Sequence, residues 1–148
     1  MDECGVESYM ARNKARSPKG ERVVVKRPGK RFKRVNVVAG QCGNEVIGEM
    51  QYSWMTDSRW FEVWFEWYLC PHLPPNSLII MDNARFHRKI QLEKIATFYG
   101  FTLLWLPPYS PDKNPIEQLW AILKNWLRLW SHRYPSIQDT IRAYFESD

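Results

Sequence analysis

The sequence predicts an α/β domain built on a mixed sheet with helices packed on its faces. Three observations carry that reading. β-Branched runs separated by tight-turn signals fill the first third of the chain, aromatic and aliphatic residues then recur at three- and four-residue steps, and short apolar runs alternate with such helical segments to the end. A length of 148 residues suits one domain. A hydrophobic share of 45% and eight Trp exclude wholesale disorder and call for a substantial core. No apolar run reaches about 18 residues, so no membrane-spanning helix is expected. The start, Met1-Asp-Glu-Cys-Gly5, is not a secretory signal.

Taken in order, Glu21 to Ser53 reads as an antiparallel meander. Val23-Val-Val25 is its first strand, Pro28-Gly29 a turn, Val35-Asn-Val-Val38 the second strand, Gly43-Asn44 another turn, and Glu45 to Tyr52 the third. Thr56-Asp57-Ser58 then supplies N-cap chemistry. After it, Trp60, Phe61, Trp64, Phe65, Trp67 and Leu69 form the aromatic face of a helix that ends before Pro71. Ser77-Leu-Ile-Ile-Met81 and Phe101-Thr-Leu-Leu-Trp-Leu106 read as strands buried on both faces. Between them, His87 to Tyr99 reads as a helix with Ile90, Ile95 and Phe98 on its apolar side and Gly100 as its stop. Asn114-Pro115 opens a helix through Leu129, and Ser136 caps a last one carrying Ile137, Ile141 and Tyr144.

Charge is unevenly placed. Between Arg12 and Arg34 stand eleven Lys or Arg and one acid, Glu21, for +10, so the remainder carries −5 within a net +5. A basic segment beside an acidic remainder suits a polyanion held by one part and handled by another. The plainer use of such a run is a solvated hairpin. Cys4, Cys42 and Cys70 form no Cys-x-x-Cys pair, which argues against structural zinc and fits free thiols.

On open α/β sheets ligands gather at the carboxyl ends of strands. Asp82 ends one predicted strand and Glu117 follows the next, so two acids converge on one edge. Like charges about 4 Å apart repel by roughly 4 kcal/mol at an effective dielectric near 20. A cation, a shared proton or a functional need must hold them there. Magnesium takes oxygen ligands and keeps several waters, so a few carboxylates suffice. Each residue also has a plainer use. Asn114-Pro-Ile-Glu117 is a capping-box arrangement, Asp82-Asn83 a strand-ending turn, and His87 a packing residue at a helix start.

Leu78-Ile-Ile-Met-Asp-Asn-Ala-Arg-Phe-His87 and Leu106-Pro-Pro-Tyr-Ser-Pro-Asp-Lys-Asn-Pro-Ile-Glu-Gln-Leu-Trp120 together resemble the DDE transposases of the mariner superfamily, nearest its bacterial insertion-sequence branch. The thirty-four residues between Asp82 and Glu117 match that family's spacing, and Asp2-Glu-Cys-Gly5 matches the context of its first acid. The resemblance implies a ribonuclease H-like fold over residues 1–148, with Asp2, Asp82 and Glu117 holding two magnesium or manganese ions. It implies cleavage of double-stranded DNA at element ends by an activated water, then attack of the freed 3′ hydroxyl on target DNA. Asn83, His87 and Asn114 would orient the acids or touch DNA. Arg12, Lys14, Arg16, Lys19, Arg22, Lys26, Arg27, Lys30, Arg31, Lys33 and Arg34 would face phosphates. A homodimer on DNA is expected, with no small-molecule substrate and no membrane. The expected location is the cytoplasm with the nucleoid in a bacterium, or the nucleus in a eukaryote.

The family's helix-turn-helix region is absent from these residues. Asp2 is expected to end the central strand, of which only Met1 precedes it, so that strand reads as largely missing and the domain as cut short at its start. Two other readings follow: a truncated remnant that binds DNA without cutting it, and a ribonuclease H-like nuclease for RNA–DNA hybrids, against which the Pro107 to Asp112 loop and the acid spacing argue.

Overall fold

The computed structural model describes residues 1–7, 19, 33–108 and 110–147. Its elements run β1 (Asp2–Glu7), β2 (Arg34–Cys42), β3 (Glu45–Tyr52), α1 (Ser58–Trp64), β4 (Leu78–Met81), α2 (Lys89–Phe98), β5 (Thr102–Trp105), α3 (Ile116–Trp130) and α4 (Ile137–Phe145). β1 pairs antiparallel with β2 from Asp2 opposite Ala39 to Glu7 opposite Arg34. β2 and β3 form the expected hairpin, turned at Gly43 with φ 59° and shifted in register between Val38 and Gly40. β4 and β5 run parallel, from Leu78 opposite Thr102 to Met81 opposite Trp105. The Met1 amino group donates to the Ile80 carbonyl at 2.9 Å, which links the antiparallel sheet β1–β2–β3 to the parallel sheet β4–β5.

Alternation along β1 and β2 sorts side chains to two cores. Cys4, Val6, Val35, Val37 and Ala39 face α3 and α4, meeting Ile116, Trp120, Leu123, Leu127, Ile137 and Ile141. Met1 and Val38 face the other way, into a cluster with Phe61, Trp64, Phe65, Leu69, Met81 and Leu92. Asp57 and Ser136 cap α1 and α4 as expected, each accepting from the backbone N–H three residues on.

Several expectations are corrected. The first strand of the meander is β1, which carries on from Asp2 to Glu7 instead of ending at Asp2, because Cys4 and Val6 supply inward positions for β2 to pair with. The Val23–Val25 strand lies outside the described residues. Trp67 is 65% exposed. α1 gives way at Phe65–Leu69 to a wider π turn, and this extra reach brings Leu69 inward and swings Trp67 out. On α2 the buried side is Leu92, Ile95 and Ala96, while Ile90 and Phe98 face solvent. Neither parallel strand is covered on both faces: Ile79 and Met81 are buried, but Leu78 is 56% and Leu104 46% exposed. The helices after β5 pack on the β1–β2 half of the sheet instead.

Gly48 fixes how the π turn seats. Its φ is 63°, its carbonyl accepts from Trp64 Nε1 at 2.7 Å, and a Cβ there would stand 2.7 Å from the Tyr68 carbonyl oxygen. Gly43 has a similar φ of 59° but open space around its Cβ position. Gly43→Ala should therefore lose only the left-handed strain, about 1–2 kcal/mol. Gly48→Ala should lose clearly more, because backbone must also shift. Urea unfolding of both variants checks the order; equal losses would refute it.

Candidate active site

β1 opens with Asp2, one residue after the Met1 amino group that donates to the Ile80 carbonyl. Met1 and Met81 are buried in one core cluster, and the residues that follow them, Asp2 and Asp82, line one cleft.

Asp82 is held from several directions. Its Oδ1 accepts from the Ala84 N–H at 3.2 Å, and His87 Nδ1 lies 3.3 Å from both that oxygen and the Asp82 carbonyl. The His87 side chain is only 4% exposed. It is boxed by Phe61 and Phe86, each 4.4 Å away between ring centroids, and by Trp105 at 6.1 Å. Burial lowers its pKa below the usual 6.5 against the pull of Asp82, so at neutral pH the ring is uncharged and donates from Nδ1. Its buried Nε2 has no partner among the described residues. Two contacts from α1 pin the same loop. Ser58 Oγ donates to the Phe86 carbonyl at 2.6 Å, and the largely buried Glu62 takes both Nε and Nη2 of Arg88, the former at 2.7 Å.

Glu117 stands in the first turn of α3 and is exposed. The capping box does not form: the residue before the helix is Pro115, no side chain caps it, and Glu117 is free to face outward. Asn114 is instead buried, 5% exposed, and its Oδ1 has no partner among the described residues.

These elements border one cleft of about 600 Å³, lined by Asp2, Glu3, Asp82, Asn83, Arg85, Pro107, Pro108, Asn114 and Glu117. The structure thus brings the three predicted acids together, with Asn83 and Asn114 beside them and His87 behind Asp82. Burial pushes the Asp2 carboxyl up to about 6, and the charges of Asp82 and Glu117 add to it. Glu3 was not among the predicted site residues. Burial pushes it up to about 8, with Asp2 and Asp82 adding and a Tyr52 hydrogen bond opposing. Its Oε1 is buried without a partner among the described residues. The adjacent pair Asp2-Glu3 was the available signal.

Among the described residues, no three Asp, Glu, His or Cys side chains stand close enough to share one ion. Magnesium is held through one or two carboxylates and keeps several waters. The donors that line the cleft are hard oxygens, carboxylates and one orphaned amide carbonyl, with no Cys or His among them. That donor set fits magnesium or manganese. Of the basic stretch, Lys19, Lys33 and Arg34 are described, all exposed. Arg12, Lys14, Arg16, Arg22, Lys26, Arg27, Lys30 and Arg31 lie outside the described residues.

A sequence model of the family described as DDE superfamily endonuclease matches residues 1–141. The chain belongs to that family. Protein y4pE/y4sA of Sinorhizobium fredii (strain NBRC 101917 / NGR234), itself uncharacterised, is 36% identical over 53 residues, 35% of this chain and 37% of that protein. Among solved structures the chain is similar to the Mos1 transposase in its paired-end complex with the left transposon end, with a TM-score of 0.65 and 16% identity. The match covers 98% of this chain and 51% of that one. The expected ribonuclease H-like architecture is therefore shown. The chain spans about half the length of the Mos1 chain.

His87→Ala should empty the aromatic box and release Asp82. A stability loss of about 2–4 kcal/mol is expected, in the range for truncating a buried ring. Denaturant unfolding measures it, and a loss below about 0.5 kcal/mol would mean that His87 does not hold this corner together.

Proposed function

We propose that this chain is the catalytic part of a mariner-type transposase, which cuts and joins DNA strands with divalent metal ions. The observation that carries the reading is the meeting of Asp2, Asp82 and Glu117, from three separate elements, at one cleft in a DDE superfamily endonuclease. The similarity to a transposase described in complex with a transposon end supports DNA as the partner.

In this reading Asp2, Asp82 and Glu117 hold two magnesium or manganese ions, which supply activation of the attacking water or hydroxyl and stabilisation of the leaving oxygen. The chain's own groups do the positioning. His87 and the Ala84 N–H fix Oδ1 of Asp82, leaving Oδ2 for a ligand. Glu117 projects from the first turn of α3, where the helix dipole attracts negative charge. Asn114 offers a buried acceptor beside them. Pro107 and Pro108 form a wall that carries no backbone N–H to compete for the scissile phosphate. Element ends and target DNA are the substrates, a dimer assembles on them, and the basic residues from Arg12 to Arg34 contact phosphates.

One observation favours the second reading, a chain that holds DNA without cutting it: the three carboxylates do not form a three-ligand cluster among the described residues. Manganese distinguishes the two. Under the first reading, saturating manganese should raise the thermal midpoint, since a ligand at about 100 times its Kd stabilises by about 2.7 kcal/mol. Asp82→Ala and Glu117→Ala should each abolish that shift and manganese-dependent nicking of duplex DNA while folding normally by circular dichroism. Binding of DNA with no manganese effect in the parent chain would establish the second reading.

A further inference from the structure

Trp54 follows β3 in the loop before α1 and is 53% exposed, and the next residue, Met55, is more exposed still. A lone surface apolar residue needs no explanation. Trp54, however, is built into place. Its ring packs 5.6 Å from Tyr52 and edge-on to Trp60 at 6.0 Å, while Tyr52 and Trp60 lie 4.1 Å apart. Its carbonyl accepts from Asn36 Nδ2 at 3.0 Å, and Asn36 Oδ1 accepts from Arg34 Nε at 3.0 Å. The Tyr52 hydroxyl is tied to Thr56 Oγ1 at 2.5 Å across the same loop. An indole is thus locked on one side and open to solvent on the other.

Its surroundings say what could lie on it. Across β2, Asn36 stands opposite Tyr52 on one side and Gly5 on the other, and Gly5 is two residues along β1 from Glu3, which lines the acidic cleft. The Arg34 guanidinium lies against Gly5, where a Cβ would stand 2.1 Å from Nη2, and so shares this face of the sheet. A flat apolar surface with a cation beside it, next to a cleft that handles a phosphodiester, matches a nucleotide whose base is out of its stack. Such bases stack on aromatic side chains with little regard to sequence, and arginine adds to the attraction.

We propose that Trp54 is a stacking platform for an unpaired base of the DNA strand that enters the cleft, with Arg34 taking the adjoining phosphate. The inference rests on the DNA-cleaving reading above. It assigns the protein a preference for ends that are frayed or single-stranded near the scissile bond.

The test uses the full chain in calcium, without manganese or magnesium, and two DNA duplexes of the same sequence, one blunt and one with a short 3′ overhang carrying 2-aminopurine. Fluorescence anisotropy should show tighter binding of the overhang duplex, by about 5- to 150-fold for one stacked base. The 2-aminopurine emission should fall on binding. Trp54→Ala should remove both effects and leave blunt-duplex affinity unchanged; Trp54→Phe should keep part of each. Retained overhang preference in Trp54→Ala, or none in the parent chain, overturns the proposal. So does concentration-dependent self-association that Trp54→Ala abolishes, which would make the patch a protein interface. If blunt duplex binds and nicking depends on Asp82 while Trp54→Ala behaves as the parent, only this inference falls. If neither duplex binds, the DNA-cleaving reading falls with it.

Discussion

One hydrogen bond, from the Met1 amino group to the Ile80 carbonyl, links the three-stranded antiparallel sheet to the two-stranded parallel sheet. The site depends on it. It ties the start of β1 to β4, and the residues just beyond the tie, Asp2 and Asp82, line one cleft. The bond lies where water is scarce: burial lowers the pKa of the amino group, with Asp2 and Asp82 opposing. A slip of one residue in the β1–β2 pairing, where Asp2 stands opposite Ala39, would turn Asp2 to the opposite face of the sheet, since side chains alternate. The gathering of acids at the cleft thus rests on strand register as much as on the identity of the residues.

Around that seam the protein keeps together groups that repel one another. Asp2 and Glu3 are each pushed toward their protonated forms, first by burial and then by neighbouring carboxylates. Asn114 and His87 add unpartnered buried atoms to the same corner. Buried polar groups without partners are costly, and native folds keep few of them. Such a concentration is intelligible in a place built to receive a charged ligand and its waters.

Much of this was legible in the residues. The β2–β3 hairpin announced itself through Gly43-Asn44, α1 and α4 through Asp57 and Ser136, and Asp82 and Glu117 through their positions after apolar runs, whereas Asp2 was singled out only by the family resemblance. Other features escaped because they depend on distant partners. Nothing local marks the π turn at Phe65–Leu69; it follows from seating Leu69 and Trp64 against the hairpin, with Gly48 allowing the approach. Ile90 and Phe98 are apolar at helical spacing, yet the face that meets the core is set by where β5 returns. The capping box at Asn114 was a reasonable local reading, but a buried amide beside three acids has a different set of neighbours from one on an isolated helix.

Helix α1 contributes no acid to the cleft, but its Ser58 and Glu62 grip the loop that carries Asp82, at Phe86 and Arg88. The helix is thus a lever whose short arm ends at Asp82. A small rotation of α1, driven by anything that repacks its aromatic underside, would be transmitted along two tethers to the aspartate. The hydrophobic core under α1 and the acidity at the cleft are in this sense one mechanical unit.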